Sequence, residues 1–281
     1  MLQMTTSNSY SPIGVFDSGY GGLTILRQIR QLLPQYDYLY LGDNARAPYG
    51  SHSFEVIYQY TLQAVKVLFE RGCRLVILAC NTASAKALRT IQQLDLPQID
   101  ADRRVLGVIR PTVEAIGPLT KTRHVGLLAT VGTVNSGSYG MEIHKLWPDV
   151  QLTAVACPMW VPLVENYEFD SPGADYFVQK RIGELFRADP DIDTLILGCT
   201  HYPLLMNKIV KYIPTGVRIV TQGEYVAKSL ADYLGRHPNM AAACSTGSTL
   251  HCLTTESPEK FHESATLFMH EEAEVEKIVI E

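Results

Sequence analysis

An apolar run that ends in a cysteine occurs twice in this chain, and the repetition constrains its fold more than any other feature. Leu75-Val76-Ile77-Leu78-Ala79 leads into Cys80-Asn81-Thr82, and Leu195-Ile196-Leu197-Gly198 leads into Cys199-Thr200-His201. Continuous Val, Ile and Leu without polar alternation fits strands buried on both faces, the environment of a parallel sheet covered by helices. Ile13-Gly14-Val15-Phe16-Asp17-Ser18 is echoed in turn by Val125-Gly126-Leu127-Leu128-Ala129-Thr130. The echoes are offset by 112 and 119 residues, so the chain reads as two similar α/β halves.

The intervening segments carry helical periodicity. After the turn Gly19-Tyr20-Gly21-Gly22, Leu23, Leu26 and Ile29 share one face of a helix that stops before Pro34. Tyr36–Leu41 reads as a strand closed by Gly42-Asp43. Phe54, Ile57, Thr61, Val65 and Leu68 then repeat at helical spacing up to a C′ glycine, Gly72. Cys80-Asn81-Thr82 and an Ala-rich helix through about Leu94 are expected next. This alternation predicts a mainly parallel sheet flanked by helices in each half. From about Val217 the chain carries another strand, a helix near Glu224–Leu234, a strand at Thr249–Leu253 and a last helix opened by Ser257-Pro258. These elements can return to the first half, which gives expected domains 1–106 plus 221–281, and 107–220. The length of 281 residues suits two domains at about 150 residues each.

Composition removes several classes. Lys and Arg number 24 against 29 Asp and Glu, a net charge of −5 with no basic run, so no nucleic-acid partner is expected. No apolar stretch approaches the roughly 20 residues of a membrane span. The polar segment Met1–Pro12 has neither part of a signal peptide, so a cytoplasmic protein is expected. Six cysteines are too few for a disulfide framework in a chain this long. There is no Cys-x-x-Cys pair, and Cys199-Thr200-His201 has no second half-site, so no metal is expected. Gly19–Gly22 has neither dinucleotide-loop spacing nor a Lys-Ser/Thr ending, and no cofactor is expected. Cys73, Cys157, Cys244 and Cys252 read as small buried hydrophobes. The acidic tail Glu271–Glu281 reads as a solvated extension.

Ligands of parallel α/β sheets bind at the carboxyl ends of the strands, where Cys80 and Cys199 both fall. A helix start behind each would offer free N–H groups and partial positive charge, favouring a thiolate and a substrate carboxylate alike. Two acid/base groups facing each other across a bound molecule are what stereochemical inversion requires, because a lone base tends to return a proton to the face it left. One thiolate and one thiol on opposite faces of a planar carbanion let the proton leave one side and arrive on the other.

Phe16-Asp17-Ser18-Gly19, Ala47-Pro48-Tyr49-Gly50, Ala79-Cys80-Asn81-Thr82 and Gly198-Cys199-Thr200-His201-Tyr202-Pro203 occur in that order. Together, from about Ile13 to His270, they resemble the glutamate racemases of the aspartate/glutamate racemase superfamily. The resemblance implies two pseudo-symmetric α/β domains with the active site in the cleft between them. It implies cofactor-independent interconversion of L- and D-glutamate for peptidoglycan, and a homodimer. It implies Cys80 as the base acting on D-glutamate and Cys199 as the base acting on L-glutamate, assisted by Asp17 and His201 respectively. Substrate contacts are expected from Asp17, Ser18, Pro48, Tyr49, Gly50, Asn81, Thr82, Thr130, Thr133, Thr200 and His201. Asp43 and Glu165 match acidic positions near the family's cleft, with Glu165 among the expected catalytic residues; as plain residues they also suit a turn and an exposed helix. Arg110 departs from the acidic residue many relatives carry there. Rival readings are a superfamily relative acting on aspartate, a hydantoin or a substituted malonate, a Cys199–His201 hydrolase, and an amino-acid sensor. The second thiol counts against the last two.

Overall fold

The computed structural model describes residues 10–269 and 273–280. Two parallel sheets, each flanked by helices, form its frame. The first has six strands in the order β10-β9-β2-β1-β3-β4, comprising β1 (Ile13–Asp17), β2 (Tyr38–Gly42), β3 (Leu75–Leu78), β4 (Arg104–Gly107), β9 (Leu250–Thr254) and β10 (Glu274–Lys277). The second has the order β6-β5-β7-β8, comprising β5 (His124–Ala129), β6 (Gln151–Ala156), β7 (Thr194–Gly198) and β8 (Arg218–Val220). The order β2-β1-β3-β4 in one sheet is repeated as β6-β5-β7-β8 in the other. The sequence echoes therefore join β1 to β5 and β3 to β7, topologically equivalent strands in two like lobes.

Every residue of β1, β2, β3 and β7 is buried, as continuous apolar runs require. On one face of the first sheet, Phe16, Leu41, Val76 and Leu78 pack with Ile57, Val65 and Leu68 of the helix Phe54–Glu70. On the other face, Val15, Leu26 and Ile77 belong to a core that runs on to Leu195, Leu197 and Leu205 of the second lobe. The lobes therefore share apolar contacts. Helix Phe54–Glu70 starts where the Ser53 hydroxyl accepts the Val56 N–H, and ends at Gly72, whose φ of +98° suits a residue without Cβ. Among the described residues no helix is long and apolar enough to cross a membrane.

Two segments differ from expectation. The helix after Cys80 is interrupted: Asn81–Lys86 and Leu88–Thr90 are followed by a widened turn at Ile91–Asp95 and by Leu96–Ile99. Pro97 has no N–H to offer the carbonyl four residues back, and the wide turn immediately precedes it. The acidic tail is not a solvated extension, because Glu274–Lys277 forms β10, parallel to β9. Its charges find partners: Glu276 accepts two hydrogen bonds from Arg71 at 2.7 and 2.9 Å, and Glu274 lies 3.2 Å from His251. Glu271, Glu272 and Glu281, like Met1–Ser9, lie outside the described residues.

Candidate active site

Both repeated cysteines leave the carboxyl end of an interior strand. β3 gives way through Ala79 to Cys80, the N-cap of helix Asn81–Lys86, where Sγ accepts the Ala83 N–H at 3.5 Å. Cys199 directly follows β7. The helix start expected behind Cys199 is instead a turn, Tyr202 N–H to Cys199 O at 3.2 Å, and a 3₁₀ segment Tyr202–Leu205 before the helix Met206–Tyr212. Pro203, with its fixed φ and no N–H, suits that tight first turn.

Cys80 and Cys199, 6% and 7% exposed, line one narrow cavity between the lobes. Ser18, Pro48, Tyr49, Gly50, Asn81 and Thr82 reach it from the first lobe. Thr130, Glu165, Thr200 and His201 reach it from the second. Asp17 and Thr133 do not line it. Asp17 lies buried at the end of β1, and Thr133 stands behind Thr130, whose hydroxyl is 3.1 Å away and itself 2.9 Å from the Thr82 hydroxyl. Sequence reasoning missed Val131, Cys157, Pro158, Val161 and Pro162, which also line the cavity. The available signal was positional, since Cys157-Pro158 directly follows β6 as Cys199 follows β7.

The two thiols have unlike surroundings. Cys199 Sγ is 3.8 Å from His201 Nδ1, and His201 Nε2 is 3.1 Å from Glu165 Oε1, at the end of helix Trp160–Glu165. Burial disfavours a charged His201, but Cys199 and Glu165 outweigh it and hold the imidazole well above the ordinary histidine range. Cys80 Sγ is 3.4 Å from the Ser18 hydroxyl. Burial, reinforced by the charge of Asp17, pushes the Cys80 thiol up to about 12. Desolvation thus exceeds the help that Ser18 and the Ala83 N–H at this helix start give a thiolate. Asp17 is itself raised by burial, against the pull of His201. Its Oδ2 accepts the Gly19 N–H at 3.0 Å, while Oδ1 is buried without a partner among the described residues.

Asp43, fully buried at the end of β2, anchors the wall from behind. It accepts hydrogen bonds from the Tyr49 hydroxyl, from Arg46 Nε at 2.6 Å and from the Thr255 hydroxyl at 3.0 Å. Burial, then Asp43, keeps the Tyr49 phenol protonated, and its ring lines the cavity. Arg110 is exposed and paired with Glu114 at 2.9 Å on its own helix. The described residues lining the cavity include no Lys or Arg. A carboxylate there would rest on hydroxyls and N–H groups, and an ammonium would meet Glu165. His124, Asp189 and Asp191 cluster at the amino end of β5, the opposite end of the sheet, and His124 Nδ1 is already 2.9 Å from Asp189. The four other cysteines are buried and unbridged.

Two like α/β lobes that each send a thiol from an equivalent strand end into a shared cleft define an enzyme built for acid–base work on a small molecule. The profile of the Asp/Glu/Hydantoin racemase family matches residues 17–230, and the chain belongs to that family of isomerases. It is 42% identical over 272 residues to a glutamate racemase of Roseobacter denitrificans, covering 93% of this chain and 98% of the relative. Among solved structures, the glutamate racemase isoform RacE1 from Bacillus anthracis superposes with a TM-score of 0.87 at 33% identity, covering 96% of this chain and 98% of that one. Glutamate racemase from Francisella tularensis, in complex with D-glutamate, gives a TM-score of 0.85 at 30% identity, covering 96% and 98%.

Proposed function

We propose that this cleft interconverts L- and D-glutamate by two-base proton transfer between Cys80 and Cys199, without a cofactor, supplying D-glutamate for peptidoglycan in the cytoplasm. The observation that carries this reading is the meeting of two thiols from equivalent strand ends, β3 and β7, in one buried cavity. The curated relatives are named as glutamate racemases, and the Francisella structure holds D-glutamate, which favours glutamate over aspartate or a hydantoin. The division into 1–106 plus 221–281 and 107–220, and a homodimer, belong to the same proposal.

Burial favours the thiol at Cys80 and suits it to give a proton, and Cys199, beside His201, is the base that starts on L-glutamate. Cys199 sulfur takes the α-proton as the Cα–H bond breaks, and the electron pair passes into the α-carboxylate as an enediolate. Cys80 then gives its S–H proton to the opposite face of Cα, forming D-glutamate and leaving Cys80 as the thiolate. D-glutamate retraces these steps from that swapped state. His201, backed by Glu165, holds positive charge beside Cys199 while that sulfur is negative. Ser18 steadies the sulfur of Cys80. Hydroxyls of Thr82, Thr130 and Thr200 and the amide of Asn81 hold the carboxylates, where fixed donors matter most as enediolate charge develops.

The test is α-deuterium uptake and loss of optical rotation in deuterated water, with L-glutamate, D-glutamate and aspartate each offered to the chelator-treated protein. Exchange with both glutamate enantiomers and none with aspartate is expected. Cys80→Ala and Cys199→Ala each lose about 10³-fold or more in racemisation while remaining folded. Wild-type racemisation by either variant would refute the two-base mechanism.

A further inference from the structure

Asn81 is tied to Gln222 and Tyr139 and, through Gln222, to Thr112, three buried residues outside the substrate cavity. Gln222, 3% exposed, opens the helix Gln222–Arg236; Tyr139 lies on the helix Ser138–Leu146 and Thr112 on the helix Ile109–Leu119, both also buried. The Gln222 Oε1 accepts the Asn81 Nδ2–H at 2.5 Å, and Gln222 Nε2 approaches Asn81 Oδ1 and Thr112 Oγ1 at 3.1 Å and the Tyr139 hydroxyl at 2.8 Å. Tyr139 donates its own proton to Asn81 Oδ1 at 2.8 Å.

Donor and acceptor counting fixes one orientation of this network. The Thr112 hydroxyl gives its proton to the backbone carbonyl of Val108 at 2.7 Å, so toward Gln222 it can only accept. Gln222 must then present its NH2 to Thr112, which turns its carbonyl to Asn81. Asn81 answers with Nδ2 toward that carbonyl and Oδ1 toward Tyr139, whose proton takes one Oδ1 lone pair, while the second Gln222 proton is shared between Asn81 Oδ1 and the Tyr139 oxygen. One Nδ2 proton is thereby committed to Gln222. Asn81, which lines the cavity beside Cys80, has a single N–H left to offer.

We propose that Gln222 is a positioning residue: with Tyr139 and Thr112 it locks the Asn81 amide so that its one free N–H donates to the substrate α-carboxylate. This rests on the two-thiol reading given above, in which Cys80 must reach Cα and its neighbour is therefore placed for the α-carboxylate. That carboxylate gains charge as the α-proton leaves, so the donor stabilises the transition state more than bound substrate. The tie also crosses between lobes, since Asn81 follows β3 while Thr112 and Tyr139 sit in or on helices packed on Val125 and Leu127 of β5.

The experiment is a double-mutant cycle on the full-length protein, with kcat and KM for α-proton exchange of both glutamate enantiomers and thermal unfolding of each variant. Gln222→Met, similar in size but without the amide, is expected to lower kcat about tenfold with KM changing far less. Asn81→Ala is expected to lose about 100-fold, and the double variant is expected to be no slower than Asn81→Ala. A purely structural tie would instead lower stability and leave the kinetic losses multiplicative. Gln222→Met within twofold of wild type, or multiplicative losses, overturns the proposal. Should Gln222→Met fail to fold, Tyr139→Phe removes one donor from the same network and carries the cycle with a smaller loss of the same kind. An active wild type with multiplicative losses sinks the role of Gln222 alone. A wild type that exchanges no α-proton sinks the two-thiol reading and this inference with it.

Discussion

Gly21 packs against Thr200 and His201, and a single methyl there tests whether the placement of His201 matters. A Cβ on Gly21 would lie 2.5 Å from His201 Nδ1 and closer still to Thr200 Oγ1. Ordinary contact begins at 3.4 Å, so the imidazole must retreat by about 0.9 Å. His201 Nδ1 is already 3.8 Å from Cys199 Sγ, at the outer limit of a hydrogen bond to sulfur, and its other nitrogen is held by Glu165 at 3.1 Å. The ring therefore cannot retreat and keep both partners. Overpacking of this kind costs about 1–3 kcal/mol, and misplacement by about 1 Å in a catalytic group costs about 100-fold in rate. Gly21→Ala is expected to lose about 100-fold in kcat/KM for both glutamate enantiomers by polarimetry, with a drop in thermal midpoint of a few degrees. Gly140→Ala is the control: a Cβ there meets nothing within 4 Å in the helix Ser138–Leu146, and about 0.5–1 kcal/mol of stabilisation with unchanged activity is expected. Wild-type kcat/KM from Gly21→Ala would mean that the Cys199–His201 pairing does not support proton transfer, and the reasoning would fail.

Two further predictions concern pH. Asp17 has its folded value raised by burial, so its contribution to stability is present below the unfolded value, near pH 3.8, and is lost as pH rises through the raised one. Asp17→Asn should therefore unfold at higher temperature than wild type at pH 8 while racemising more slowly, and the thermal gap should close near pH 4; a gap independent of pH would refute the assignment. His124 is raised by its hydrogen bond to Asp189, so the pair stabilises fully below about pH 6.5 and the benefit fades as pH climbs through the raised value. Thermal scans should show wild type losing ground to His124→Gln from pH about 6.5 upward, and parallel curves would show that the pair carries no stability.

The sequence made the frame legible because its strands are buried on both faces, and burial of that kind writes itself as unbroken Val, Ile and Leu. The echo of β1 in β5 and of β3 in β7 was readable for the same reason, and the strand-end position of Cys80 and Cys199 followed from it. What stayed hidden depended on partners distant in the chain. The tail looked like an extension because Glu274 and Glu276 are charged, yet its backbone pairs with β9 and Glu276 meets Arg71, 205 residues earlier. Val131, Cys157 and Pro158 carry no chemical signature, and only the closure of one lobe on the other brings them to the cavity. The protonation of Cys80 stayed open because a helix start is visible in sequence, whereas the enclosing residues that desolvate the sulfur are gathered from several elements.

The unlike surroundings of the two thiols bear on the two-base cycle proposed for this pseudo-symmetric fold. Duplication of topology delivers two thiols at equivalent strand ends, but two identical environments would leave both sulfurs in the same protonation state, and the reaction needs one acid and one base. The structure breaks the symmetry with side chains: Ser18 and Asp17 beside Cys80, His201 and Glu165 beside Cys199. Enantiomers in water are equal in free energy, so kcat/KM for the two directions must be equal whatever those surroundings are. The inequality of the thiols can appear only in how each direction divides between kcat and KM. In the proposed cycle each L-to-D turnover leaves a thiolate at Cys80, the form that burial there disfavours. In that cycle D-glutamate would react from the Cys80 thiolate, and the requirement for it would appear in KM, in kcat or in both, while the quotient stays fixed.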